Sequence, residues 1–262
     1  MIGLNVTNLA ATATLSGGSW LAAAPVTNLA TRDAADTARS TNANNSSTRI
    51  IVDHGAAVTR RVMDLREHNI SSGATIRWSV GTSSGGNEVA TTGTINAWQF
   101  TPRAFDGRDH GLIFVLPADA TGRYDYIEIF DSSNADGYVE IAQLGIGPID
   151  FVPSYNAAYG LKDGFVSFGG KERSSGGTLW TDQQRIARNV SFVLEAIDLD
   201  NGDSLHELER YVGTTEQVLY LPDLHDAAAI QRYGMRGTLD ELSALDYPYY
   251  RLRSMPLRIT QD

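Results

Sequence analysis

The sequence predicts a mainly β protein, an N-terminal antiparallel jelly-roll sandwich followed by a C-terminal β-rich α+β domain. Three observations predict it. From Arg49 onward, apolar and polar residues alternate with a period of two over many short runs. Those runs are separated by Gly, Asn, Asp and Ser clusters at the spacing of an antiparallel sandwich. In the second half one clear stretch, Asp203 to Gly213, shifts to helical spacing, with a short helical turn near Ala227.

Taken in order, Val6-Thr-Asn-Leu-Ala10 recurs as Val26-Thr-Asn-Leu-Ala30, an echo too brief for a solenoid, which needs several stacked units. Between the copies, a short alternating segment ends at Gly17-Gly18 and Trp20. Residues 31–48 are small and polar with no apolar face, which predicts a long surface loop. Arg49 to Asp53 is an apolar run closed by the turn signal Asp53-His-Gly55, and residues 59–66 make a second strand. In residues 74–80, Ile76, Trp78 and Val80 point one way and Thr75, Arg77 and Ser79 the other, before the turn Gly81 to Gly86. Three further strands are expected at 111–116, 124–130 and 138–144.

Composition shifts near Gly145-Ile-Gly-Pro148, which divides the chain into residues 1–148 and 149–262. A loop-rich passage through Gly169-Gly170 and Gly176-Gly177 precedes a strand over 184–197. There Ile186, Val190, Phe192 and Leu194 share a face interrupted by Arg188. The helix at Asp203–Gly213 has Leu205, Leu208 and Val212 on one side, Asp203 as N-cap and Gly213 as stop. Strands at 218–221, 233–239 and 249–259 complete the second domain, with the helical turn at 227–231 between the first two.

A chain of 262 residues can bury a sizeable core without staples, and it contains no cysteine. Disulfide frameworks, thiolate metal sites and cysteine nucleophiles are thereby excluded. No leader-like segment and no apolar run of membrane-spanning length is present, so folding in a cytoplasm without membrane insertion is expected. The net charge of −10 argues against nucleic-acid binding, which depends on basic patches. Only two of the 21 basic residues are lysines, Lys162 and Lys171; the arginine preference suits subunit interfaces.

Motifs that carry chemistry fail on inspection. Asp198-Leu-Asp-Asn-Gly-Asp203 with Glu209 resembles a calcium loop, but glycine stands at position five where position six requires it, and the same residues make a good helix start. His206-Glu-Leu-Glu209 has Arg210 where a zincin needs its second histidine. The histidines at 54, 68, 110, 206 and 225 lack ligand spacing, and His225 reads as a solvated turn residue. Gly164 to Gly169 has one residue too many around Ser167 for a nucleophile elbow. The aromatics Trp20, Trp98, Tyr155 and Tyr159 sit in or beside loops, where a sugar could stack; for Trp98, between Ile95 and Phe100, core packing is the stronger reading. The chain is therefore expected not to be an enzyme. It is assigned no catalytic residue, no metal and no cofactor, and its ligand-binding residues are left unassigned.

Several segments nevertheless resemble a known architecture. Asn28-Leu29, Thr37-Ala-Arg-Ser40, Thr48-Arg-Ile-Ile-Val-Asp53-His-Gly55 and Arg66-Glu-His-Asn69-Ile-Ser71 through Trp78 resemble the discoidin-like (galactose-binding-like) jelly roll of phage tail proteins. Tyr124 to Ile141 with Gly145-Ile-Gly147 is similar to its closing strands. Arg173-Ser-Ser-Gly-Gly177, the strand through Arg188 to Leu194 and Val218-Leu-Tyr-Leu-Pro-Asp223 are similar to the C-terminal part of distal-tail or baseplate proteins, as in Mu-related siphophages of Pseudomonas. The resemblance implies a structural tail-tip component of the virion, assembled in the host cytoplasm. It would form a trimeric or hexameric ring with its own copies and contact the tail tube, tape measure and baseplate hub. The alternative it leaves open is a module that binds a host-surface carbohydrate or pilus.

Overall fold

The structure is a computed structural model that describes residues 1–102, 111–182 and 184–261. In chain order the strands are β1 (Gly3–Asn5), β2 (Thr14–Ser16), β3 (Ala38–Arg39), β4 (Ile50–His68), β5 (Thr75–Gly81), β6 (Ala90–Thr91), β7 (Ile95–Asn96), β8 (Leu112–Phe130) and β9 (Glu140–Gly147). They continue as β10 (Lys162–Ser167), β11 (Lys171–Arg173), β12 (Leu179–Thr181), β13 (Ile186–Ile197), β14 (Gln217–Leu221), β15 (Met235–Leu239), β16 (Asp246–Tyr249) and β17 (Leu252–Gln261). Among the described residues the α-helices are α1 (Leu199–Val212) and α2 (Ala227–Tyr233). The protein is mainly β, and among the described residues the pairings of β2 through β17 are antiparallel.

Two compact units form, and neither is continuous in sequence. One comprises Thr7–Asp150 and Leu221–Gly234; the other comprises Met1–Val6, Phe151–Tyr220 and Met235–Asp262. The sequence division after Pro148 lies beside the crossing at Asp150, while residues 1–6 and 221–234 each fold with the unit built by the other half. Burial explains both crossings. β1 is buried along its whole length and hydrogen-bonds at the edge of the second sheet next to β14. Helix α2 packs on β8, and its Gln231, fully buried, accepts from the Gln99 amide (2.7 Å) and donates to the Ala97 carbonyl (2.8 Å).

The first unit is a jelly-roll sandwich whose two layers share long strands. Its strand order is β3-β9-β4-β8-β5-β6, with β2 on β4 and β7 on β5. β4 and β8 run 19 residues each, against roughly 5–6 for an ordinary strand. They bend together where their register shifts, between Asp53 and Val58 and again between Arg60 and Val62. Ile50 and Val52 on one side of the bend, and Met63 and Leu65 on the other, bury into one core with Ile76, Trp78, Leu112, Phe114, Ile127, Leu144 and Ile146.

The turn expected at Asp53-His-Gly55 is thus a bulge inside one strand. Gly55 takes φ +74 with open space around it, and the Asp53 carboxylate accepts its N–H at 2.8 Å. The strands expected at 111–116 and 124–130 are likewise two ends of β8. Residues 31–48 are mostly irregular, as expected, but they do not all lie on the surface. Ala38, Ser40 and Thr48 are buried, and the Thr48 hydroxyl donates to the Ile129 carbonyl at 2.7 Å.

The second unit is a sheet in the order β1-β14-β15-β17-β13-β10 with β16 on β17. Val190, Phe192, Leu194, Leu205, Val212, Val218, Tyr220, Met255, Leu257 and Ile259 form its core with residues of β1. Helix α1 packs on β17 and begins earlier than its spacing suggests. Its N-cap is Asp198, not Asp203: the carboxylate accepts the Asn201 N–H at 2.9 Å and the Ser154 hydroxyl at 2.6 Å. Gly202 within the helix lets Arg253 lie close, since a Cβ there would meet Arg253 Cγ at 2.8 Å. Gly213 ends the helix at φ +57, and its N–H returns to the Glu209 carbonyl. The passage read as loop-rich holds strands β10, β11 and β12, whose side chains are largely exposed and so lack an apolar alternation.

Candidate functional site

At one end of the sandwich, three segments singled out in the sequence meet. Strand β3 carries Arg39, the turn after β4 carries Asn69 and Ser71, and the segment leading into β9 carries Tyr138 and Glu140. β3 pairs with β9 so that Arg39 faces Glu140 across the ladder. The Arg39 guanidinium lies 4.4 Å from the centre of the Tyr138 ring, and its Nε donates to Glu140 Oε2 at 2.7 Å. That hydrogen bond raises the guanidinium further above its ordinary pKa, so Arg39 is a permanent cation.

Neighbouring polar groups hold this ledge in place. The Ser40 hydroxyl accepts the Val139 N–H (2.9 Å) and donates to the Asn42 carbonyl (2.8 Å). Asn69 Nδ2 donates to Asp136 (2.8 Å) and to the Tyr138 carbonyl (3.0 Å), and its Oδ1 accepts the Glu140 N–H (2.7 Å). Below them, buried Asp131 accepts the Ser71 N–H (2.9 Å), the Ser71 hydroxyl and the Asn134 amide (2.8 Å). The lower network is buried, whereas Tyr138 and Arg39 are half-buried and Asp136 is exposed. An aromatic ring beside a cation and an exposed carboxylate can pack on an apolar sugar face and hydrogen-bond hydroxyls. Among the described residues, no group of three or more His, Cys, Asp or Glu is placed to hold a metal ion.

A second polar cluster, at the bend of β4 and β8, is closed to solvent. Asp125 accepts from Arg60 Nε (2.9 Å) and Trp78 Nε1 (2.8 Å), and its other oxygen lies 2.7 Å from His54 Nε2. Arg60 also donates to the Gly122 (2.8 Å) and Tyr124 (3.1 Å) carbonyls. Arg60 and Asp125 are fully buried, so the cluster satisfies the backbone where the bulges break the ladder.

The residues singled out as chemical candidates scatter. Asp198 caps α1 while Glu209 lies eleven residues along, about 16 Å away on a helix. Glu209 is buried and accepts the Ser243 N–H at 2.5 Å. His206 stands on the exposed side of α1, His225 caps nothing but its own turn with Asp223, and Ser167 is exposed at the end of β10 opposite Ile186. His68 is buried edge-on against Trp98. His110 lies outside the described residues.

Of the aromatics, Trp98 is in the core with Nε1 donating to the Ile70 carbonyl (3.2 Å). Trp20 is half-buried with Nε1 on the Arg49 carbonyl, and Tyr155 and Tyr159 are exposed. Sequence reasoning passed over Tyr138. Its signal was the adjoining Ala-Arg-Ser and His-Asn-x-Ser elements, which the fold brings beside it.

No protein-family model matches the chain, and no curated protein matches it. Among solved structures, it is similar to SpGH29 (TM-score 0.38, 13% identity), covering 55% of this chain and 28% of that one. It is similar to a Streptococcus pneumoniae fucose binding module (TM-score 0.38, 12% identity), covering 54% of this chain and 94% of that one. It is also similar to the family 32 CBM from C. perfringens NanJ in complex with galactose (TM-score 0.41, 9% identity), covering 56% of this chain and 98% of that one.

Proposed function

We propose that the chain is a non-catalytic binding protein of a phage tail tip whose jelly roll takes a host-surface carbohydrate on the Arg39–Tyr138 ledge. The observation that carries this reading is the half-exposed Tyr138 ring, held 4.4 Å from a guanidinium and flanked by Glu140, Asn69 and Asp136 at the loop end of a rigid sandwich. Its scaffold is buried and hydrogen-bonded, so a ligand would meet a preorganised surface and lose little in ordering it. The names of the similar structures suggest the probes: fucose- and galactose-terminated glycans.

The test is glycan-array binding and titration calorimetry with the full chain. Saturable binding is expected, with Arg39→Ala and Tyr138→Ala each weakening it roughly tenfold or more, the scale of losing one charge-assisted bond or one stacked ring. Binding that survives both substitutions would reject the ledge. A second reading, a tail-tip ring made of copies of this chain, is supported by a separate observation: a hairpin of the second unit carries exposed apolar side chains with no cover of its own. Particle mass by light scattering tests it; a strict monomer at high concentration would count against it.

A further inference from the structure

β10 and β13 form an antiparallel pair that does not end at Ser167 and Ile186. The ladder continues outward through Phe168 N–H to the Arg185 carbonyl (3.4 Å) and Asp182 N–H to the Gly170 carbonyl (2.9 Å). β11 and β12 carry it to a tip at Ser174–Thr178, closed by Ser174 N–H to the Thr178 carbonyl (2.9 Å). All residues from Lys171 to Asp182 are exposed, so this is a projecting arm.

The arm is apolar where a solvated hairpin would be polar. Phe165, Phe168, Leu179, Trp180 and Ile186 are all exposed, Phe165 at 76% and Trp180 at 67%. Register puts Phe165 opposite Arg188 and Ile186 opposite Ser167, on the face where Val190, Phe192 and Leu194 are buried. The core stripe of β13 therefore runs out from beneath its cover. The three aromatics, spread over both faces of the hairpin, alone hold roughly 300–400 Å² of exposed ring. Both lysines of the chain are here. Lys162, Lys171, Arg173 and Arg185 stand against Asp163, Glu172 and Asp182, a basic excess in a protein of net charge −10.

The complementary surface lies in the same unit. A cleft of about 630 Å³ is lined by Glu195, Ala196, Asp246, Tyr247, Pro248, Leu252 and Ser254, with the Arg253 guanidinium 3.9 Å from the centre of the Tyr247 ring and the two carboxylates on the lining. Ala196, at φ +56, sits in the bulge of β13 that opens it. Arm and cleft cannot meet within one chain. The arm springs from the Ile186 end of β13 and points away; the cleft is at the Glu195 end, roughly 30 Å along the strand.

We propose that the arm of one copy docks in this cleft of a second copy. The tip's cations (Lys171, Arg173) would lie on Glu195 and Asp246, and Leu179, which shares their face of the hairpin opposite Arg173, would enter the space beside Pro248 and Leu252. Donor and acceptor surfaces differ, so the contact is head-to-tail, the kind that closes into a ring when the rotation allows. The proposal rests on the ring reading above.

The test uses the full chain and light scattering across concentration. Lys171→Glu with Arg173→Glu, and separately Glu195→Lys with Asp246→Lys, are each expected to weaken association roughly tenfold or more, with salt weakening the wild type. All four residues are exposed, and circular dichroism would verify that each variant is folded. Carrying all four changes in one chain restores the opposite charges and is expected to restore association. Because the chain has no cysteine, a Leu179→Cys, Leu252→Cys variant is expected to form intermolecular disulfides only. Assembly that is indifferent to both charge-reversed pairs would overturn the arm–cleft contact and leave the ring reading standing. So would a fourfold variant that stays dissociated and a double-cysteine variant that does not cross-link. A wild-type monomer at all concentrations would overturn both.

Discussion

Asp125 shows how much a single residue can carry. Its carboxylate meets Arg60, Trp78 and His54 inside a core that excludes water. Removing one partner leaves an uncompensated buried charge, whereas replacing both leaves none. Asp125→Ala is therefore expected to destabilise the protein by about 3–5 kcal/mol, measured by urea unfolding, and Asp125→Ala with Arg60→Met to recover part of that loss. An unchanged midpoint in the single variant would show that water reaches the cluster. Arg39 is the contrast. Its ion pair with Glu140 is half exposed, so Arg39→Ala should leave the unfolding midpoint nearly unchanged while weakening the glycan binding proposed for the ledge. Neither role is legible locally, because Arg60 stands in an alternating segment and Arg39 in a polar stretch with no apolar face, and only burial separates a staple from a ledge.

Among the elements, α1 makes the clearest case. Its ends are set by Asp198 and Gly213, and Asp198→Ala is expected to cost about 1 kcal/mol of thermal stability. The hydrogen bond from Ser154, then that from the Asn201 backbone, lowers the Asp198 pKa. The folded chain thus releases that proton more readily than the unfolded one. This contribution is present above the ordinary aspartate range and is lost as pH falls through the folded-state value. Glu209 runs the other way. Burial raises its pKa, so its stabilisation is full at low pH and declines as pH rises through the folded-state value. Glu209→Gln keeps an acceptor for Ser243 and is expected to remove the decline in stability that begins just above the ordinary glutamate range; an unchanged curve would show that Glu209 does not titrate in that window. Spacing alone puts the start of α1 at Asp203, because Asp198, Asp200 and Asp203 are equivalent in sequence. Ser154, distant in the chain, selects the first.

Strands teach the same lesson with glycine. Gly237 of β15 pairs with both Val218 and Gln261, and a Cβ there would meet the Thr260 carbonyl oxygen at 2.0 Å. Backbone cannot yield as a side chain can. Gly237→Ala is therefore expected to lower the melting temperature by several degrees, roughly the effect of 1–3 kcal/mol of overpacking; a neutral result would mean the β15–β17 register can shift.

Across the whole molecule, the division of labour follows the two units. The first offers a polar ledge on a closed sandwich; the second offers an apolar arm and an acidic cleft at opposite ends of one strand. From the sequence alone came the β architecture, the alternation in β5, the helical spacing in α1, the burial of Trp98 and the failure of each catalytic motif tested. These are local properties, because periodicity and ligand spacing are written within a few residues. The tertiary structure alone decided that β4 and β8 are single bent strands, since a bulge and a turn share the same Asp-x-Gly signal. It also decided that residues 1–6 and 221–234 fold with the opposite unit, and that Arg39, Asn69 and Tyr138 meet. Each of these depends on which surfaces bury against one another, over separations of about a hundred residues that no local pattern encodes.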